Sequence, residues 1–178
     1  MMQLAGTQQQ LDSLADRLMY RLAYRNFGSY ESLVVNHSVA VGTTRKNAVA
    51  AVRWYELRNL SAGMPSVAQQ SMYAPDSTFR WMGSIALGYS TSSATLHPGI
   101  RFATLLATDA PGTLSNETTI LQGNGSQLNN LNRWGDYSTM AVDPVDDCTF
   151  WYTNEYLPAN GTFNWSTRIA SFKIAGCQ

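Results

Sequence analysis

Asp143, Asp146 and Asp147 form the densest carboxylate cluster of the sequence, within Asp143-Pro144-Val145-Asp146-Asp147. Loops rich in carboxylate oxygens hold calcium, and apart from calcium no cofactor is expected. The Gly and the terminal Glu of an EF-hand loop are absent, so the competing reading is a plain acidic turn. Cys148 and Cys177 have no second Cys/His pair at metal spacing, which argues against zinc. They read either as a disulfide that ties the last strand to an internal one or as two buried thiols. His37 lies between Val35 and Val39 on an apolar face and reads as a hydrogen-bonded core residue, whereas His97 precedes Pro98-Gly99, a turn signal. No serine sits in a Gly-x-Ser-x-Gly elbow, and Gly123-Asn124-Gly125-Ser126 is followed by no lysine, so neither a serine hydrolase nor a phosphate loop is indicated. Trp54, Trp81, Trp134, Trp151 and Trp165 should mostly pack between sheets; one that emerges at a loop-rich end, with Trp134 the first candidate, can stack on a sugar ring.

These residues must be positioned by elements that the composition constrains. The chain has 178 residues, 44% of them hydrophobic and only 13% charged, against about 25% charged in an ordinary globular protein. Such a chain can bury a core. Twelve basic and twelve acidic residues cancel, and no Lys/Arg run is present to release counterions from a phosphate backbone, so nucleic acid is not an expected partner. No stretch approaches the roughly 20 apolar residues of a membrane helix, and Met1-Met2-Gln3-Leu4 lacks the regions of a signal peptide. Abundant Ser, Thr, Asn and Gln together with Tyr and Trp suit the surface of a sheet, and also a surface that faces carbohydrate.

Alternation is the strongest periodic signal. Leu33, Val35, His37, Val39 and Val41 share one face of a strand and Asn36 and Ser38 the other, and Val49 to Leu57 behaves similarly. Further strands are predicted at 68–73, 81–91, 100–107, 118–121, 137–142, 149–156 and 167–174. Turn chemistry at Ala74-Pro75-Asp76, Ala110-Pro111-Gly112 and Pro158-Ala159-Asn160-Gly161 separates them. At the amino terminus, residues 8–15 read as loop or a short helical turn and 19–27 as a strand, with Gly28-Ser29-Tyr30 turning into Leu33. Arg80-Trp81-Met82-Gly83 and Arg133-Trp134-Gly135 open two imperfect copies of one unit, and Ile100-Arg101-Phe102-Ala103-Thr104 resembles Thr167-Arg168-Ile169-Ala170-Ser171. The first copy is shorter, as if two strands were fused near Ile85. The expected architecture is one all-β domain of antiparallel four-stranded sheets over residues 19–73, 81–121 and 133–175, the last lacking a strand. This is a partial or oligomer-completed β-propeller, with a β-sandwich as the alternative, because a closed propeller ring needs about four to eight blades.

The segments Arg133-Trp134-Gly135-Asp136-Tyr137-Ser138-Thr139-Met140-Ala141-Val142-Asp143-Pro144, Asp147 to Tyr156 and Asn164 to Lys173 resemble the carboxy-terminal blades of sialidase-like (BNR-like) β-propellers, large secreted bacterial proteins mostly without an assigned function. Residues 19–39, 52–58 and 73–90 fit the same pattern. The resemblance implies an extracellular or periplasmic location and a scaffold, since the repeated Ser-x-Asp-x-Gly-x-x-Thr-Trp boxes of true sialidases are absent. If sialidase-like hydrolysis accompanied the scaffold, Arg80, Arg101, Arg133 and Arg168 could grip a carboxylate, Tyr152 with Glu155 could form the nucleophile pair and Asp136 could be the acid. Tyr152 and Glu155 differ by an odd number, however, which on one regular strand puts them on opposite faces. Three functions follow as expectations: a non-catalytic extracellular module binding glycan or protein, a sialidase-like glycoside hydrolase, or a structural protein that completes its ring as a homo-oligomer or as part of a longer chain.

Overall fold

The computed structural model describes residues 1–3, 9–44, 47–84, 87–106, 108–174 and 177. Eleven strands account for its regular structure, and among the described residues there is no α-helix. They form three antiparallel meanders in chain order. The first sheet is β1 (Ala23–Asn26), β2 (Glu31–Val41), β3 (Val49–Arg58) and β4 (Ser66–Tyr73); the second is β5 (Phe79–Trp81), β6 (Gly88–Ser93), β7 (Leu96–Phe102) and β8 (Thr118–Leu121). The third holds three strands, β9 (Thr139–Val142), β10 (Thr149–Tyr156) and β11 (Ser166–Lys173), in the order β11-β10-β9. Short antiparallel connections explain the meanders: Gly28, at φ 80°, lets the chain reverse between β1 and β2, where Phe27 N donates to the Tyr30 carbonyl.

The second sheet lies between the other two, and the parity of β6 shows how. Tyr89 is buried with Val52, Trp54 and Ala103 against the first sheet, while Gly88 on the opposite face lies so close to the third that a Cβ there would stand 2.6 Å from Tyr152 Cζ. Ile100 joins Met140 and Tyr152 on that same side, and the Phe102 and Phe172 rings stack across it at 3.9 Å. At one end, Trp81 meets Trp134 edge-on, within a cluster that includes Leu11, Met19, Phe79, Met82 and Leu157. Cys148 and Cys177 form a disulfide that fastens the residues after β11 to the start of β10. It spans 29 residues.

Four expectations change. The segment 81–91 is not one fused strand: β5 ends at Trp81 and β6 begins at Gly88, so the middle sheet has four strands. His97-Pro98-Gly99 is not a turn but part of β7; the missing N–H of Pro98 is tolerated because β8 pairs only with Ile100, Arg101 and Phe102. Regular strand at the amino terminus is confined to Ala23–Asn26. The face of β2 that packs inward is the polar one. Ser32, Asn36 and Ser38 are buried towards the second sheet, where Ser38 Oγ accepts from Met82 N and a Cβ on Gly83 would stand 2.9 Å from Val52 Cγ1. Small polar residues suit a site where another backbone comes this close and needs partners. Leu33, Val39 and Val41 therefore lie half-buried on the outward face, alongside the exposed Tyr24, Val67 and Met72.

Candidate functional site

The four arginines do not form one grip. Arg80, whose side chain is fully buried, donates to Glu117 from Nε (2.9 Å) and Nη2 (3.0 Å), and from Nη1 to Asp76 (2.9 Å) and the Thr78 carbonyl (2.8 Å). Arg101 donates to the same Glu117, and so does the Tyr89 hydroxyl, at 2.9 Å. Burial works against the Glu117 charge, but the bonds from Arg80 and Tyr89 outweigh it and hold the carboxyl below its usual range. Arg133 pairs instead with Asp136 at the surface, and Arg168 stands on β11 opposite Asn154. Two of the four are thus bound into an internal ion network, away from any ligand.

Tyr152 and Glu155 diverge. Tyr152 is buried towards the second sheet and its hydroxyl accepts from Asn154 Nδ2 at 2.8 Å; burial drives its phenol well above the ordinary range. Glu155 instead accepts from Gly135 N, and its carboxyl is raised, first by burial and then by the neighbouring Asp136 charge. Trp134 is 2% exposed and gives its Nε1–H to Ser90 Oγ at 3.1 Å, which places it in the core. The acidic loop is a hydrogen-bonded turn. Asp143 accepts from Val145 N and Trp151 Nε1, Asp146 accepts from Cys148 N and Thr149 N, and Asp147 pairs with Arg25 of β1. Among the described residues no three His, Cys, Asp or Glu side chains gather as a metal group. His37 Nε2 lies 3.2 Å from the Tyr55 hydroxyl, and burial followed by the Arg53 charge lowers its pKa. His97 Nδ1 lies 2.9 Å from Ser126 Oγ.

A site with the shape to take a ligand lies elsewhere, in a cleft of about 580 Å³ between the first sheet and the connections of the second, with Phe150 and Ile174 also in its lining. Its floor is Asn36, Trp54, Ser84 and Leu87, each 5% exposed, and its mouth is Phe27, Tyr30 and Leu106, at 52%, 37% and 38%. Parity builds the wall: Val52, Trp54 and Glu56 share the inward face of β3, so one carboxylate follows two apolar residues along it. Glu56 accepts from Ser32 Oγ (2.9 Å), Arg58 Nε (2.7 Å) and Gln69 Nε2 (2.7 Å). Burial opposes its charge, but the Arg58, Gln69 and Ser32 bonds win and keep the carboxyl below its usual range. The Arg58 guanidinium also lies over the Tyr30 ring at 4.0 Å, and Tyr30 stacks on Phe27 at 4.8 Å. Sequence reasoning passed over Tyr30, Glu56 and Arg58; the signal available was an acidic residue following Val52 and Trp54 on one face of β3.

Comparison with protein-family models, with curated proteins and with solved structures returns no match.

Proposed function

We propose that this chain is a non-catalytic extracellular binding module of the propeller type, and that the cleft between its first sheet and the connections of the second is the seat of a glycan. The observation that carries this reading is the cleft itself. Its volume is that of a small-molecule site, and it joins an aromatic mouth to a floor where Trp54 and Leu87 lie beside Asn36 and Ser84, and to the ionised Glu56 carboxylate. Meanders that stack in chain order, with the middle one buried on both faces, suit propeller blades. The disulfide suits an oxidising compartment. A glycosidase has less support, because Tyr152 and Glu155 face opposite ways and Arg80 and Arg101 are held by Glu117. The test is binding of immobilised glycans by the intact chain beside Tyr30→Ala, a change at the mouth that leaves the core untouched. Loss of signal in the variant supports the reading, and equal signal in both refutes it.

A second reading, assembly with further copies, is favoured by one observation. The outward faces of both end sheets carry exposed apolar side chains: Tyr24, Val67 and Met72 on the first, Trp151 and Ile169 on the third. Native mass measurement decides it, since a monomer at high concentration rejects assembly.

A further inference from the structure

The inner end of the cleft holds two polar atoms with nothing to bond. Asn36 and Trp54 stand opposite each other on β2 and β3, on the inward face, and each is 5% exposed. Among the described residues, Asn36 Oδ1 and Trp54 Nε1 are buried without a hydrogen-bond partner, the first an acceptor and the second a donor. Buried polar groups are nearly always paired, because an unpaired one loses its hydration for nothing. Two such atoms on one cross-strand pair, in the wall of a cleft of ligand size, mark a place where the partner comes from outside. An acceptor beside a donor fits two neighbouring hydroxyls, since each hydroxyl can give or take a bond. The cleft also ends here. The next inward residues, Ser38 and Val52, are covered by Met82 and Gly83: Ser38 Oγ accepts from Met82 N, and a Cβ on Gly83 would stand 2.9 Å from Val52 Cγ1 and would overlap Asn36 Oδ1. The exposed Phe27 and Tyr30 lie at the opposite end, before β2. A chain that enters past them therefore brings its tip to Asn36 and Trp54, while Glu56, two residues along β3 from Trp54, meets the part that follows.

We propose that the cleft recognises the non-reducing end of a glycan, with adjacent hydroxyls of the terminal sugar seated on Asn36 and Trp54, one donating to Asn36 Oδ1 and the other accepting from Trp54 Nε1. This rests on the glycan-binding reading and names the part of the glycan that the cleft grips. The tip of a 1,4-linked chain carries such a pair, the O3 and O4 hydroxyls. A hydroxyl capped as an ether gives no proton, so a capped tip leaves Asn36 unpaired against the ligand. In the free chain the Asn36 side chain makes no hydrogen bond among the described residues, so Asn36→Leu, of similar shape, removes a buried polar group without breaking one.

The experiment is calorimetric titration of the intact chain with tetrasaccharides of β-1,4-glucan, α-1,4-glucan, β-1,4-mannan, β-1,4-galactan and β-1,4-xylan, each free and with the O4 hydroxyl of its non-reducing end capped as a methyl ether. For a tetrasaccharide that binds, the cap should weaken binding at least about tenfold, the effect of leaving a buried polar group unpaired. Asn36→Leu should weaken the free form by a similar factor, and so should Trp54→Phe, which removes the N–H and keeps a ring. Asn36→Leu should also melt no lower than the parent, which separates lost binding from lost structure; a clear drop would show that Asn36 is already paired within the chain and would overturn the inference. If capped and free forms bind equally, or both variants bind as the parent does, recognition of the glycan end falls while glycan binding stands. If no tetrasaccharide of the panel binds in either form, both fall.

Discussion

Replacing Glu117 with Gln attacks the most concentrated charge network in the molecule. The Glu117 carboxylate accepts from Arg80 Nε and Nη2, from Arg101 and from the Tyr89 hydroxyl. Once it is neutral, the one carboxylate left paired with Arg80 is Asp76, whose side chain is 55% exposed, while the side chain of Arg80 has no exposure at all. Breaking a buried ion pair from one side costs about 3–5 kcal/mol because the surviving charge is left unpaired. The 16% exposure of Glu117 and the remaining Asp76 contact place this case at about 3 kcal/mol. For a chain of this length each kcal/mol moves the melting temperature by about 2–4 °C, so Glu117→Gln should melt about 6–12 °C below the parent in calorimetry. The apolar triple replacement Arg80→Met/Arg101→Met/Glu117→Leu should recover most of that loss, since exchanging a buried ionic group for packed hydrocarbon is close to neutral. A Glu117→Gln midpoint within about 2 °C of the parent, or a triple variant no better than the single one, would show that the network is not structural and that Arg80 and Arg101 are free for other work.

Reducing Cys148–Cys177 should cost about 3.6 kcal/mol, from the chain entropy of a loop closed across 29 residues; thermal melts with and without reductant check this, and coincident curves would contradict it. Glu56 and Glu117 are both held below their unfolded pKa values, so the stability they contribute is complete above about pH 5 and drains as pH falls through about 4 and below. Urea midpoints against pH should show that decline, and Glu117→Gln should flatten it. Buried Tyr89 and Tyr152 are raised in the folded state, so their contribution holds below about pH 10 and is lost as pH rises beyond it; a Tyr152→Phe chain should unfold at higher pH than the parent. Gly88→Ala should destabilise by about 1–3 kcal/mol, because its Cβ would lie 2.6 Å from Tyr152 Cζ and 2.7 Å from Met140 Cε; unchanged denaturant midpoints would disprove so close an approach.

Much of the fold is legible in the chain because strand alternation and turn residues are local signals. Leu33 to Val41, Val49 to Leu57 and Thr149 to Tyr156 lie within β2, β3 and β10. The failures came where a neighbour decides. Met82, Gly83 and Ser84 interrupt a stretch that alternates well, because the chain leaves β5 there to take hydrogen bonds from Ser138 and to Ser38. Pro98 carries a turn signature, yet it is accepted in β7 because the ladder with β8 begins only at Ile100. The candidate site was harder still. Arginine, tyrosine and carboxylate types suggested a grip and a nucleophile, but which arginine meets which carboxylate is set by Glu117, the residue just before β8, meeting Arg80 and Arg101. The cleft is divided among the turn before β2, β2, β3, residues 104–106 and 109–114, and Ile174 after β11, so none of its parts stands out in any one segment.

The inward polar face of β2 bears on how alternation should be read in stacked sheets. A sheet buried on both sides must put something against each neighbour, and the close approaches here are made by small or polar residues: Gly83 against Val52, Gly88 against Tyr152, Ser90 against Asn154 and Trp134. These contacts bring backbones near enough that only groups with hydrogen bonds to give, or no side chain at all, can fill the space. Where β2 meets Met82 and Gly83 in this way, its larger hydrocarbon, Leu33, Val39 and Val41, lies on the outward face, as Ile169 does on the other end sheet. Apolar alternation thus marks a face that can be covered, without saying that the neighbour present covers it. The end sheets have a neighbour on one side and are half-exposed, whereas β6 of the middle sheet is covered from both. A stack of this kind gains stability from each sheet added to it until its outward faces meet a partner or are closed by polar side chains; here the hydrogen-bonded Arg53, Tyr55 and Gln70 on the first sheet, and Thr153, Ser171 and Lys173 on the third, stand on those faces beside the apolar ones.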